Sequence, residues 1–246
     1  MNADPAAQLR LLDLQAADTV TAQLVHRRQV LPEIAAIAAI DAENDQRKAQ
    51  AVDLQTQLSD VDAGQRQLEN EIDTVRSRAE RDQSRLLAGG IPPKELEGLQ
   101  HEITSLARRQ GSLEDDLLEV MEQRETLETQ LGSITAEVSA ADAERDRLVA
   151  ARDAAFAEID AALSERKAAR AGIAGELPAD LLALYDKVAV ANGGTGAAAL
   201  RQRRCEGCRI ELAGSELSEV RKAAPDTVVR CENCRRILVR TAESGL

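Results

Sequence analysis

The stretch LLAGGIPPKE at 86–95 decides the fold. Gly89 and Gly90 give the backbone freedom, while Pro92 and Pro93 stop a helix that arrives from the N-terminal side, so the chain must turn over 88–94. Working back from the turn, a 3–4 alternation of core positions runs from Leu86 through Asp82, Ala79, Val75, Ile72, Leu68, Gln65, Val61, Leu58, Leu54 and Ala51 to Arg47, Asn44, Ile40, Ile37 and Glu33. It continues through Val30, His26, Gln23, Thr19, Ala16 and Leu12 to Leu9. Working forward, the same rhythm starts at Leu96 and reaches Ile173 through Leu99, Ile103, Leu113, Val120, Leu127, Ile134, Val138, Leu148 and Ile159. Fifteen of 23 positions on the first arm and eighteen of 23 on the second are apolar, too long a match to be accidental. This is the heptad rhythm of helices that wind round a partner.

About a pivot at Ile91, residue 9 falls opposite residue 173, so the two arms end together. Equal arms predict an intramolecular antiparallel hairpin rather than a parallel dimer of straight helices. Each arm of about 80 residues would extend on the order of 120 Å at 1.5 Å per residue. Pro32, in VLPEI, predicts a kink or a helix restart, because its ring blocks one internal hydrogen bond yet suits a first helical turn. Polar residues in the seam, namely Asn44, Gln65, Arg124, Arg145, Arg152 and Arg166, are expected to reach outward and to fix the register.

The composition agrees with helices and argues against a large globular core. Aromatic residues make up 1% of the 246, with Phe156 and Tyr185 the only two, whereas 30% are charged. The net charge of −12 is uneven: residues 201–246 hold ten Lys and Arg against seven acids, so the basic tail follows an acidic body. No basic segment followed by an apolar run opens the sequence, and no window of about 18 apolar residues occurs, so the expectation is a cytoplasmic protein without membrane contact.

All four cysteines lie in the tail, as Cys205-x2-Cys208 and Cys231-x2-Cys234. Two such turns at a separation that a small domain can close are the sequence form of a tetrahedral zinc site with four thiolate ligands. Four thiolates leave no open coordination position, so the expected zinc is single and structural. Two disulfides would need export, and a thioredoxin-like site needs only one CxxC in a βαβ setting. Gly207 and Asn233 hold the third position of the two turns, where a residue tolerating positive φ would aim amides at sulfur. Strand character is read at RIEL (209–212), TVVR (227–230) and RRILVR (235–240), with a short helix in GSELSEVRKAAP between them. Ahead of the module, Pro178 opens a connector helix with Leu181, Leu184, Tyr185 and Val188 on one face, and Tyr185 is expected to pack with a hydrated hydroxyl. The fold class is thus mainly α: a long antiparallel coiled-coil hairpin over 1–176, then a connector helix and a small α+β zinc ribbon over 177–246.

For function, His26 and His101 stand apart from any nucleophile or carboxylate set, and GGTGAAAL at 193–200 lacks the Lys-Ser/Thr pair of a phosphate loop, so no enzyme is expected. Two readings stay open. One is an adaptor or chaperone that meets protein partners through the hairpin and the ribbon. The other is a nucleic-acid binder whose Arg201, Arg203, Arg204, Arg209, Arg221, Lys222, Arg230, Arg235, Arg236 and Arg240 neutralise phosphates; against it, the ribbon offers no aromatic ring for bases to stack on.

KELEGLQHEITSLARRQGSLEDDLLEVME at 94–122, the LLALYDKV connector and the paired CxxC ending in CRRILV resemble the bacterial C4-type zinc ribbon proteins with an N-terminal coiled-coil hairpin. The resemblance covers nearly the whole chain. It implies a hairpin with a zinc ribbon head and zinc ligands at Cys205, Cys208, Cys231 and Cys234. Members in flagellated bacteria are flagellar biogenesis factors that interact with an alternative sigma factor and with RNA, and others are described only as candidates for nucleic-acid binding. Many relatives read CPxCGR at the second turn; here Glu232 replaces the proline and Arg235 the glycine. Nothing in the sequence indicates a flagellated host, so an adaptor or chaperone role linked to transcription or RNA is what the resemblance transfers.

Overall fold

The computed structural model describes residues 1–246. Three helices account for most of the chain: α1 (Pro5–Gln29), α2 (Pro32–Ala88) and α3 (Pro93–Gly175). Each begins at a proline, which lacks an N–H where none could be bonded anyway and whose fixed φ is already helical. Asp4 caps α1, its Oδ1 accepting from the Ala6 N–H at 2.7 Å. Pro32 therefore restarts a helix, after a break at Val30 and Leu31. Between α2 and α3 the turn passes through Gly89 and Gly90, whose φ values of 71° and 79° favour glycine. The chain divides into two compact units, Ala35–Val149 and Met1–Ile34 with Ala150–Leu246.

In the first unit α2 and α3 pair antiparallel. From Ile37 to Leu148 every expected seam position is buried or partly buried except Leu96, with Asn44, Leu113, Ile72, Ile37 and Leu58 deepest. Two of the seam arginines reach outward as expected, Arg124 bonding Asp62 at 2.7 Å and Arg145 bonding Asp41 at 2.6 Å, whereas Asn44, against the expectation, stays buried and donates to Asp142 at 2.7 Å. Each of these pairs is equidistant from Pro93, two residues beyond the pivot at Ile91. Side-chain direction explains the offset. Helical side chains lean toward the N-terminus of their own helix, so those of α2 lean away from the turn and those of α3 toward it. That lean accounts for these three contacts, while the longer side chains of the Arg78–Glu102 and Arg109–Glu71 pairs meet about Gly90.

In the second unit the expected seam fails on α1. Leu9 and Val30 are exposed, whereas Gln8, Leu11 and Leu14 are buried. On α3, Arg166 and Ala169 face solvent while Leu163, Arg170 and Ala174 turn inward. The break at Val30–Leu31 lets α1 rotate, and its new face has a different partner, described next. Alongside the break the Arg28 guanidinium stacks 4.1 Å from the centre of the Phe156 ring.

That partner is a four-stranded sheet with order β2-β1-β4-β3, formed by β1 (Ala197–Arg201), β2 (Arg204–Cys205), β3 (Val229–Arg230) and β4 (Ile237–Arg240). β1 and β4 run parallel in the centre and the outer pairs are antiparallel. Side chains alternate across it. Ala197, Ile237 and Val239 pack with Leu11 and Leu14 of α1 and with Leu177, Leu181 and Tyr185 at and along α4 (Ala179–Ala191). Ala198, Leu200 and Leu238 pack on the other face with Leu212, Leu217 and Val220, around α5 (Gly214–Lys222), and with Cys205 and Cys231. Strand β4 is thus covered on both sides, which is why it reads as an unbroken apolar run. The expected strand at 209–212 is reduced to one bridge, Arg204 with Glu211, because the first cysteine turn occupies that length of chain.

Candidate metal centre and basic surface

Two backbone loops of the same design present the cysteines. In the first, the Cys205 N–H donates to the Ile210 carbonyl and the Cys205 carbonyl accepts from the Arg209 N–H; in the second, Cys231 does the same with Arg236 and Arg235. Both loops need a left-handed residue to close, and it is the one after the second cysteine: Arg209 and Arg235 each have φ of 62°. Gly207 and Asn233 do not take that conformation, contrary to the expectation. Gly207 is required for space instead, since a Cβ there would lie 2.7 Å from Arg236 Cδ and 3.0 Å from Ala198 Cβ.

The four Sγ atoms lie within 4.8 Å of one another. A zinc–sulfur bond of about 2.3 Å in a tetrahedron places its sulfurs about 3.8 Å apart. Cys205 and Cys234 are separated by 3.8 Å, Cys208 and Cys231 by 3.9 Å, far beyond the roughly 2.05 Å of a disulfide. The spacing fits zinc, and the surrounding electrostatics do too. Burial pushes the Cys205 and Cys231 thiols up, while the amides of Cys208 and Gly207, and of Cys234 and Asn233, point at those sulfurs and favour the thiolate. At Cys234 burial also opposes ionisation, but hydrogen bonds from Arg236 and from its neighbouring thiols outweigh it and lower the group to about 7. With all four ligands supplied by the chain, the metal is one structural zinc ion. The buried Glu216 of α5 braces the second loop by accepting from the Glu232 N–H at 2.9 Å.

The basic residues divide into two groups. Arg236 and Arg240 serve the interior of the head. Arg236 donates to the carbonyls of Thr195, Gly207 and Asn192, and Arg240 to those of Ala223, Ala224, Pro225 and Thr227. Arg201 pairs with Glu243 at 2.6 Å, and Arg230 donates to the Arg235 carbonyl. Arg203 bonds the Gly245 carbonyl at 3.4 Å, at the limit of a hydrogen bond. Arg204, Arg209, Arg221, Lys222 and Arg235 are exposed.

Sequence reasoning missed how the head is fastened. Gln15 of α1 accepts from the Gly196 N–H at 2.7 Å and donates to the Gly194 carbonyl. The Tyr185 hydroxyl is not hydrated: its side chain is fully buried and it donates to Asp18, which Arg170 also grips. Residues 1–3 run beside the loop before β3, with the Ala3 N–H on the Asp226 carbonyl and the Val228 N–H on that of Met1. The available signal was the apolar pair Leu11 and Leu14, three apart and off the expected seam.

Residues 14–193 match the family model of the CT398-like coiled coil hairpin domain, and residues 204–238 that of the C4-type zinc ribbon domain. An uncharacterized protein of Mycobacterium tuberculosis is 42% identical over 240 residues, covering 98% of both chains. A solved structure from Mycobacterium smegmatis superposes with a TM-score of 0.88 at 36% identity, over 98% of this chain and 100% of that one. CT398 of Chlamydia trachomatis, at 19% identity and a TM-score of 0.73 over 96% and 98% of the two chains, shares the fold. Hairpin, ribbon and cysteine cluster together show that the chain belongs to the family of CT398-like coiled-coil hairpin proteins that carry a C4-type zinc ribbon.

Proposed function

We propose that the protein is a non-enzymatic, zinc-stabilised adaptor that binds protein partners through the hairpin and the ribbon head. The observation that carries this reading is the internal use of Arg236 and Arg240, which removes two cations from the set that a polyanion would need, in a head without an aromatic stacking platform. His26 and His101 are both exposed and far along the chain from the cysteine cluster, and the zinc ligands are all supplied by the protein, so no group is arranged for chemistry. The test is proximity labelling in the native host with the intact chain and with an Arg204→Ala/Arg209→Ala/Arg221→Ala variant. Specific protein neighbours for the intact chain support the reading; labelling no different from that of a diffusing control overturns it.

A second reading rests on the matched placement of Arg209 and Arg235 on the two cysteine loops, which sets two cations beside the metal centre. There the head contacts RNA or DNA phosphates. Binding would be shallow in sequence preference and steep in salt. Titration of the intact chain with single-stranded RNA at low ionic strength tests it, and no binding there removes it.

A further inference from the structure

The paired leucines Leu117 and Leu118 take opposite roles on α3. Leu117 lies in the seam against α2, and Leu118 stands 59% exposed, with Met121, three residues on, 48% exposed beside it. Such a pair on the outward face of a helix is unpartnered apolar surface. Its surroundings are mainly acidic: Glu114, Asp115, Glu122 and Glu125 lie three or four residues from one or other of the two, so they share the face, and all four are exposed, while the one cation at that spacing, Arg124, is already paired with Asp62 at 2.7 Å and Glu128 at 2.8 Å. Of the four acids only Glu114 meets a cation of the chain, Arg76 at 3.9 Å. Glu122 also lines a neighbouring open groove of about 830 Å³, together with Val61, Leu127, Asp60 and Glu119. Apolar anchors whose unpaired charged neighbours are all acidic fit one kind of occupant by charge: an amphipathic helix with an apolar stripe flanked by Lys and Arg.

We propose that the α3 face around Leu118 and Met121 is a docking site for a basic amphipathic helix of a partner protein. This rests on the adaptor reading and locates its contact on the hairpin. The probe is a synthetic amphipathic Leu/Lys peptide, titrated onto the intact chain beside a scrambled peptide of equal charge without a stripe. The expected result is at least roughly tenfold tighter binding of the striped peptide, a difference that Leu118→Ser/Met121→Ser abolishes and that Val52→Ser, an exposed apolar residue elsewhere on the hairpin, leaves intact. Equal binding of the two peptides, or an unchanged preference in the double variant, overturns the site. A photoreactive residue placed at 121, 52 or 209 in the host separates this inference from the adaptor reading. Cross-links at 121 to a basic helical segment support the site. Partner cross-links only at 52 or 209, or links from 121 to the ribbon of a second copy, overturn the site while the adaptor reading stands, and an absence of protein cross-links at all three positions overturns both.

Discussion

The Tyr185 hydroxyl donates to the Asp18 carboxylate at 2.7 Å, tying α4 to α1 inside the head. Tyr185→Phe keeps the ring in place and removes the bond, leaving Asp18 to Arg170; the expected loss is about 1–2 kcal/mol in denaturant unfolding. Burial, then Asp18, raise the Tyr185 pKa above its ordinary 10. Its contribution is therefore fully present below pH 10, and it falls as pH rises beyond that, because the unfolded chain loses the proton first. Stability measured between pH 9 and 11 should fall less steeply for Tyr185→Phe than for the natural chain.

Metal analysis of protein purified under reducing conditions should give one zinc per chain. Cys231→Ser should lose the metal and the ordered ribbon together, since a head with so small a core depends on the ion for its stability. The helix signal in circular dichroism, dominated by α2 and α3, should largely survive. A ribbon that stays folded after zinc removal would contradict the structural role.

Two glycines separate backbone from side-chain crowding. A Cβ at Gly196 would sit 2.7 Å from both the Tyr185 carbonyl oxygen and its ring, whereas at Gly207 it would meet only side-chain atoms, Arg236 Cδ at 2.7 Å and Ala198 Cβ at 3.0 Å. Gly196→Ala should cost about 3 kcal/mol and Gly207→Ala about 1 kcal/mol, read from thermal unfolding of the zinc-loaded protein. A reversed order would show that the Arg236 contacts to three carbonyls are stiffer than the α4–β1 junction.

Asn44 is buried in the seam with its Oδ1 unbonded, while its amide donates to Asp142. Asn44→Leu should raise stability by about 1 kcal/mol or more and at the same time loosen pairing specificity. Cross-linking of cysteine pairs placed symmetrically about Pro93 should show alternative registers in the variant and one register in the natural chain.

How much the sequence disclosed depends on how local the cause is. The seam from Ile37 to Leu148 follows from a repeat that each helix satisfies against its neighbour, and the metal site from two four-residue loops with fixed geometry. The failures are non-local. Leu9, Thr19 and His26 fit the heptad, yet α1 turns a different face because the sheet it meets comes from residues 197–240. Likewise, Arg236 and Arg240 look like free cations until the carbonyls around them are folded into place. Positive φ at Arg235 was hidden for a different reason: arginine has no preference for that conformation.

The bond from Gln8 to the Pro225 carbonyl spans 217 residues. At ribosomal rates of about 5–20 residues per second, α1 leaves the exit tunnel roughly ten to forty seconds before the strands it packs against exist. Until Leu177, Leu181 and Tyr185 and then the strands follow, Leu11 and Leu14 lack their native cover, so the nascent chain presents an apolar helix at the tunnel mouth. A chain terminated before α4 leaves that face uncovered for good, and one terminated before β4 covers it only in part.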